Sequence, residues 1–242
     1  MQPPIGAKGA GHKPLMQSAD HKRGEKMQEK EIMERCRQSF SRHSATVALD
    51  TERYLVIDWR RADGSGEYYV NYIVDKQRGA FIVSGDLGES IAVWYNSVTP
   101  EKLSSWISDI GYYVGKIKCA SDLYDYDSED IIADMKAQLG DEVQDAYYYD
   151  YDSSEELWEN ITDEVGSSVY GETFIPSDKL CSIISKMDPD CFEWLSLCGR
   201  RINMRVYLWA VGFQMAYEQI KLQGAAKMAD NISELSGLLP AT

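Results

Sequence analysis

Histidine is scarce in this chain, and its cysteines form no metal-binding pattern. Of the three histidines, only His43 lies outside the polar N-terminal stretch, and the five cysteines include no C-x-x-C pair. These shortages argue against a zinc ribbon or a disulfide framework, and they favour reduced thiols in a cytoplasm. Cys36 and His43 permit a Cys–His dyad, although a core thiol beside a partly exposed histidine is the commoner arrangement.

Long apolar runs are also missing. The longest, Val206 to Tyr217, is about 12 residues and too short to span a bilayer. The N-terminus has no apolar core of the kind that a secretory signal contains. We therefore expect a soluble cytoplasmic protein with no cofactor, no metal and no membrane association. The sequence does not predict an oligomeric state.

One segment carries essentially all of the net charge of −14. Residues 122–164, here called the acidic segment, hold 16 acidic side chains against the single base Lys136. Residues 1–121 and 165–242 are each close to neutral. Phosphates would be repelled by this balance, so we expect no direct nucleic-acid binding. The acidic segment instead marks the place where a basic partner would bind.

Composition predicts one domain between two tails. Residues 1–28 are polar, contain several glycines and prolines, and lack periodicity, which is typical of a disordered tail. A single α+β domain is predicted at 29–223, with a helical Tyr/Asp stretch at 122–165 inside it. Residues 224–242 are predicted to form a C-terminal tail.

Turn residues at regular intervals predict a short antiparallel β-meander. Residues 53–59, 67–74 and 80–83 are rich in β-formers, and Gly-containing turns separate them. The following Gly85-Asp-Leu-Gly-Glu-Ser90 lacks the lysine of a phosphate-binding loop, so we interpret it as a strand-to-helix turn rather than an anion site.

Capping residues predict the helices packed against this sheet. A first helix is expected from Glu29 to about Ser41. Four further helix starts carry a capping side chain: Thr99, Ser128, Ser153 and Ser177. Gly140 and Gly166 are expected to end the second and third of these. A buried helix is predicted from about Pro189 to Leu222, with a break near Gly199.

A short motif occurs twice in the acidic segment. Tyr124-Asp-Tyr-Asp-Ser128 returns as Tyr149-Asp-Tyr-Asp-Ser153, each time directly before a predicted helix. Neither copy fits a calcium loop, because the sixth and twelfth positions lack the required glycine and glutamate. Looser divalent binding by these Asp-x-Asp pairs stays open. So does the simpler interpretation that some acids only favour the positive end of a helix dipole.

The density of acid and tyrosine favours contact with a partner over simple solvation. Spread along two helices, the charge comes within about a factor of two of that of duplex DNA. Tyrosine is enriched at interface hot spots. The predicted partner-binding residues are Tyr124, Asp125, Tyr126, Asp127, Glu129, Asp130, Asp145, Tyr147, Tyr148, Tyr149, Asp150, Tyr151, Asp152, Glu155 and Glu156. A basic cluster of Arg200, Arg201 and Arg205 is expected to pair with the acidic segment or a neighbouring helix.

Two stretches resemble uncharacterised proteins carried on prophages and conjugative elements of Gram-positive bacteria. They are Arg53–Tyr95, with its Asp-Trp-Arg-Arg and Gly-Asp-Leu-Gly-Glu-Ser motifs, and Cys191–Arg205. The resemblance carries no known activity, so it transfers no catalytic residue. It implies a mobile-element setting, where acidic inhibitors of DNA-targeting defence enzymes are common.

These observations lead to the hypothesis of a non-enzymatic acidic binding protein. Its partner would be a basic nucleic-acid-binding effector, as for a DNA mimic of the anti-CRISPR or anti-restriction type. Two alternatives remain: a metal-dependent enzyme that uses the Asp-x-Asp pairs, and a structural or assembly protein of a mobile element.

Overall fold

The computed structural model describes residues 19–140, 143, 151–171 and 173–237. Its centre is a six-stranded antiparallel meander in the order β1-β2-β3-β4-β5-β6. The strands are β1 (His43–Asp50), β2 (Tyr54–Arg61), β3 (Val70–Asp75), β4 (Ala80–Gly85), β5 (Ser90–Val93) and β6 (Ile117–Ala120). The predicted α+β fold class and antiparallel meander are confirmed.

Four helices cover one face of this sheet. They are α1 (Ala19–Ser39), α2 (Pro100–Trp106), α3 (Ile110–Val114) and the long C-terminal α7 (Met204–Gly237). Alternate strand residues such as Ile57, Tyr72 and Phe81 point into this layer and are fully buried. They pack against Trp209 and Phe213 of α7 in a first core cluster. The predicted burial of the C-terminal helix is therefore confirmed.

A second core cluster is built from an uninterrupted part of the chain between β6 and α7. Its helices are α4 (Ser128–Leu139), α5 (Ser154–Ser168) and α6 (Asp178–Met187). The cluster is completed by a short hairpin and two 3-10 turns. The hairpin pairs β8 (Val169–Tyr170) with β9 (Thr173–Phe174), and the turns are Cys191–Glu193 and Leu195–Leu197. Its buried residues include Ile131, Leu157 and Ile184, and none of them belongs to the first cluster.

One small two-stranded sheet connects the parts of the chain that hold the two clusters. The chain enters the second cluster through β7 (Tyr124–Tyr126) and leaves it through β10 (Arg200–Ile202). These strands pair antiparallel, with Tyr126 opposite Arg200 and Tyr124 opposite Ile202. The two ends of the inserted stretch are thereby held together.

Several predicted boundaries of the sheet and its neighbours are wrong. Strands β1, β5 and β6 were not predicted, and the Gly85–Ser90 turn joins two strands rather than a strand and a helix. The predicted helix from Pro189 is replaced by the 3-10 turns and β10 as far as Ile202. Gly199 has a φ of 67°, a left-handed conformation that interrupts a helix at this point.

Part of each predicted tail is helical. Helix α1 begins at Ala19 rather than Glu29, because the intervening residues are mostly Lys, Arg, Glu, Met and Gln, which are good helix formers. Helix α7 continues past position 224 to Gly237. The rest of the predicted N-terminal tail, residues 1–18, lies outside the described residues. None of the helices in the described part of the chain has the length and apolarity needed to cross a membrane.

Candidate partner-binding surface

The first Tyr/Asp motif is part of the framework rather than a free surface. Tyr124 and Tyr126 are half-buried in β7. The guanidinium of Arg200 lies 3.4 Å from the centre of the Tyr124 ring, a cation–π contact. The Tyr126 ring packs 6.2 Å from that of Phe174, against the second core cluster. These two predicted contact residues are therefore half-buried and engaged by other parts of the protein.

Acids near this motif are paired with the basic cluster of Arg200, Arg201 and Arg205, which lies in β10 and just after it. Arg201 contacts Asp130 at 3.2 Å and Asp134 at 3.3 Å. Arg205 contacts Asp122 at 3.2 Å. The predicted pairing of the basic cluster with the acidic segment is thus confirmed for these two arginines, and three of the segment's 16 acids are internally compensated in this way.

Two further acids have structural roles in the same region. The Asp125 carboxylate accepts a 2.6 Å hydrogen bond from the side-chain amide of Asn203. Asp127 is the N-cap of α4 and accepts from the backbone N–H groups of Glu129 and Asp130. The cap was predicted at Ser128, one residue too late. Either oxygen-bearing side chain can cap a helix, so sequence alone does not separate adjacent Asp and Ser.

These contacts bear on the metal hypothesis. The carboxylates of Asp125 and Asp127 face different partners and are already satisfied by donors of the protein. Within the residues that the structure describes, no group of three or more His, Cys, Asp or Glu side chains is arranged to hold a metal ion. The second Asp-x-Asp pair includes Asp150, which lies outside those residues.

The second Tyr/Asp motif leads into α5, and its described part is arranged differently. Ser153 is the predicted N-cap and accepts from the N–H of Glu156 at 3.2 Å. The Glu156 carboxylate accepts in return from the N–H of Asp152, so the predicted pair of Ser153 and Glu156 forms, with its return hydrogen bond to the residue before the cap. Tyr151 is half-buried against the second core cluster. Helix α5 continues through Gly166 to Ser168, two residues beyond its predicted end.

Helix α5 presents carboxylates on the face opposite its buried one. Leu157, Ile161 and Val165 recur every four residues and are buried. Residues advance by about 100° each around a helix, so positions two before these lie on the opposite side. That side carries the exposed carboxylates of Glu155, Glu159 and Asp163, with Glu156 one position further round the helix and Asp152 just before it. We call the group of Asp152, Glu155, Glu156, Glu159 and Asp163 the acidic face; all five are exposed.

A shallow groove runs along this face. Its volume is about 540 Å³, and it is lined by Lys136 and by Glu155, Trp158, Glu159 and Asp163 of α5, together with Ser154 and Thr162. The Lys136 ammonium lies 5.1 Å from the centre of the half-buried Trp158 ring. The single base of the acidic segment therefore rests over an aromatic ring that is bordered by carboxylates. This is an arrangement that favours cations.

Not every acid of α5 belongs to the acidic face. Glu164 accepts from the Ser177 hydroxyl at 2.7 Å and pairs with Lys179 at 2.9 Å. The Ser177 hydrogen bond and the Lys179 ammonium lower the pKa of Glu164 below its ordinary value. Ser177 also caps α6, as predicted. Glu164 thus ties α5 to α6 rather than facing outward.

The Cys–His dyad permitted by the sequence is not formed. The Cys36 thiol lies 4.0 Å from the Met204 sulfur, and burial raises its pKa to about 11. The His43 ring is buried between Phe40 and Trp59, with Nε2 3.3 Å from the carbonyl of Tyr68. A thiol with this pKa stays protonated at neutral pH and is a poor nucleophile.

The structure thus divides the predicted partner-binding residues. It places Tyr124, Asp125, Tyr126, Asp127, Asp130 and Tyr151 in framework contacts, while Glu129 is exposed at the start of α4. It places Asp152, Glu155 and Glu156 together on the acidic face. Asp145, Tyr147, Tyr148, Tyr149 and Asp150 lie outside the described residues.

Three side chains on this surface were not among the predicted contact residues: Trp158, Glu159 and Asp163. The four-residue spacing of Glu155, Glu159 and Asp163 was the available signal, because it aligns their side chains on one helix face.

Searches against protein-family models, curated proteins and solved structures found no match to this chain.

Proposed function

We propose that this chain is a non-enzymatic acidic protein that binds a basic, nucleic-acid-binding partner through the acidic face of α5. The observation that carries the proposal is the row of exposed carboxylates along this face, beside the Lys136–Trp158 contact. Ion pairs with Arg201 and Arg205 account for three acids around β7 and α4. Among the residues that the structure describes, the carboxylates of the acidic face form no ion pair within 4 Å.

The spacing of the row supports a nucleic-acid-like contact. From Glu155 to Asp163 the helix rises about 12 Å, at about 1.5 Å per residue. Four carboxylates over this length are about 4 Å apart on average along the helix axis, close to the about 3.4 Å between phosphates along one DNA strand. A groove that binds a single strand's backbone would therefore meet a similar charge density on α5.

Mobile-element inhibitors of DNA-targeting defence enzymes are the concrete form of this proposal. Such an inhibitor occupies the basic channel of a nuclease and competes with DNA for it. Association would be fast and strongly salt-dependent, because it depends on opposite charges on the two surfaces. The prophage and conjugative-element resemblance supports the same setting.

The test is inhibition of DNA cleavage by a purified RNA-guided nuclease and by a purified restriction enzyme. We expect near-stoichiometric inhibition of one of them, relieved by excess non-cleavable duplex DNA and weakened at high salt. Reversal of three charges, in Glu155→Lys with Glu159→Lys and Asp163→Lys, is expected to weaken inhibition at least tenfold.

A second triple variant provides a matched control for net charge. Glu34→Lys, Glu52→Lys and Glu218→Lys change the total charge by the same amount at exposed positions away from α5. This control should inhibit like the original chain. If neither nuclease is inhibited, or if both triple variants lose inhibition equally, the acidic face of α5 is not the binding surface for such a partner.

A further inference from the structure

One face of the large sheet, which packs against none of the helices in the described part of the chain, carries an apolar row that crosses all six strands. Pairing places Leu49 opposite Val56, Val56 opposite Ile73, and Ile73 opposite Ile82. Ile82 is opposite Ile91, and Ile91 is opposite Cys119. Residues directly opposite in antiparallel strands share one face of the sheet. We call these six residues the apolar row.

This row points away from the first core cluster. The neighbours of Val56 in β2, Leu55 and Ile57, are at most 3% exposed and face the helices. Successive strand residues point to opposite faces, so Val56 faces away from the helices. Leu49 is 45% exposed and Ile91 41%, and the inner members of the row are half-buried. None of the row packs against either core cluster of the described residues.

Polar side chains that are already paired flank the row. Asp58 accepts from the Tyr69 hydroxyl at 3.0 Å and from Asn71 at 2.9 Å. On the other side, Asp75 accepts from Arg53 at 3.0 Å. An apolar centre surrounded by polar groups, with tyrosine and arginine nearby, is the usual anatomy of a protein interface.

We propose that a second copy of this chain covers the apolar row, with the two sheets packed face to face. A two-fold interface requires a surface that complements itself. The apolar row satisfies this requirement, because a two-fold rotation brings the same apolar row of the second copy opposite it. Of the two flanking carboxylates, Asp75 is neutralised by Arg53, and Asp58 is hydrogen-bonded by the neutral donors Tyr69 and Asn71, which limits repulsion between identical chains at this face.

The size of the face predicts how tightly the copies associate. Six strands at about 4.8 Å spacing span about 24 Å, and six residues along a strand span about 20 Å. The resulting plane of about 500 Å² lies just below the about 600 Å² that each partner buries in the smallest specific interfaces. We therefore expect a dimer that dissociates in the micromolar range.

The first measurement is sedimentation velocity of the full chain from about 1 to 300 μM. We expect a reversible shift from monomer to dimer over this range. Ile73→Thr with Ile82→Thr and Ile91→Thr should raise the dissociation constant at least tenfold. Threonine keeps the β-branched shape that suits a strand, so circular dichroism should be unchanged. Ile175→Thr makes the same chemical change at another exposed isoleucine and should leave the dimer intact.

The second measurement needs no change in the row, which keeps the proposal testable if the triple variant fails to fold. Cys119 is exposed and ends the row, whereas Cys36, Cys191 and Cys198 are buried. In a Cys181→Ser background, alkylation of Cys119 should slow as protein concentration rises through the dimerisation range. A monomer at every concentration, a dimer that persists in the triple variant, or a constant alkylation rate would each overturn the proposal. A monomer whose apolar row is covered by a different protein would overturn it as well.

Discussion

Single residues of the acidic segment differ in what their carboxylates contact. Asp134 accepts from the backbone N–H of Gly199 at 2.8 Å and also meets Arg201. Glu159, by contrast, is exposed on the acidic face. Removing Asp134 would leave a backbone donor without its partner, whereas removing Glu159 changes mainly the surface charge. Equal formal charges therefore have unequal consequences for stability and for binding.

Two glycines in α7 provide a matched test of how closely this helix approaches the sheet. A Cβ at Gly212 would collide with the Tyr72 hydroxyl and lie 3.0 Å from the Phe40 ring, whereas a Cβ at Gly224 would meet nothing within 4 Å. We expect Gly212→Ala to lower the free energy of unfolding by about 1–3 kcal/mol through overpacking. Gly224→Ala should raise it by about 0.5–1 kcal/mol through helix propensity. Urea unfolding measures both, and equal effects would contradict the close packing at Gly212.

At the scale of elements, turn and capping residues predicted those strands and helices whose ends they mark. The turn at 76–79 predicted the end of β3, although this strand begins at Val70 rather than at the predicted Glu67. The caps Thr99, Ser153 and Ser177 were each placed correctly. The polar β1 and the four-residue β6 were missed because their sequences lack a clear alternation of apolar residues.

Pairing between distant elements was beyond such local signals. Strand β7 pairs with β10, more than 70 residues later, and this pairing decides that the first Tyr/Asp motif is structural. The second motif has no such partner strand among the described residues, so sequence-identical pentapeptides have different roles. The acid spacing on α5 was visible in the sequence, but the burial of Tyr151 and the position of Trp158 depend on the second core.

The N-cap of α4 allows charge and structure to be separated at one acid. Asp127→Ala removes the acceptor for the N–H groups of Glu129 and Asp130, and should lower the free energy of unfolding by about 1 kcal/mol. Asp127→Asn removes the same charge but keeps an oxygen that can accept, so stability should change little. Thermal unfolding of both variants makes the comparison. A similar loss in both would show that the negative charge, rather than the cap, stabilises α4.

At the scale of the whole molecule, the described part of the chain holds two core clusters that have no residue in common. The sheet, α1 and α7 form one cluster, and residues between β7 and β10 form the other. The two proposed surfaces follow this division: the apolar row lies on the sheet, and the acidic face lies on the inserted stretch. Their separation in the sequence means that substitutions on one surface leave the residues of the other unchanged.

This division predicts that the second cluster can be weakened without loosening the sheet. Ile161 is fully buried in α5, and Ile161→Ala should cost about 2–5 kcal/mol through lost contacts and a cavity. In hydrogen exchange, amides of α4, α5 and α6 should lose protection, while those of β2, β3 and β4 keep theirs, because local opening follows cooperative units. Val74→Ala, in the first cluster, should produce the reverse pattern. A uniform loss of protection in both variants would show instead that β7 and β10 couple the clusters into one cooperative unit.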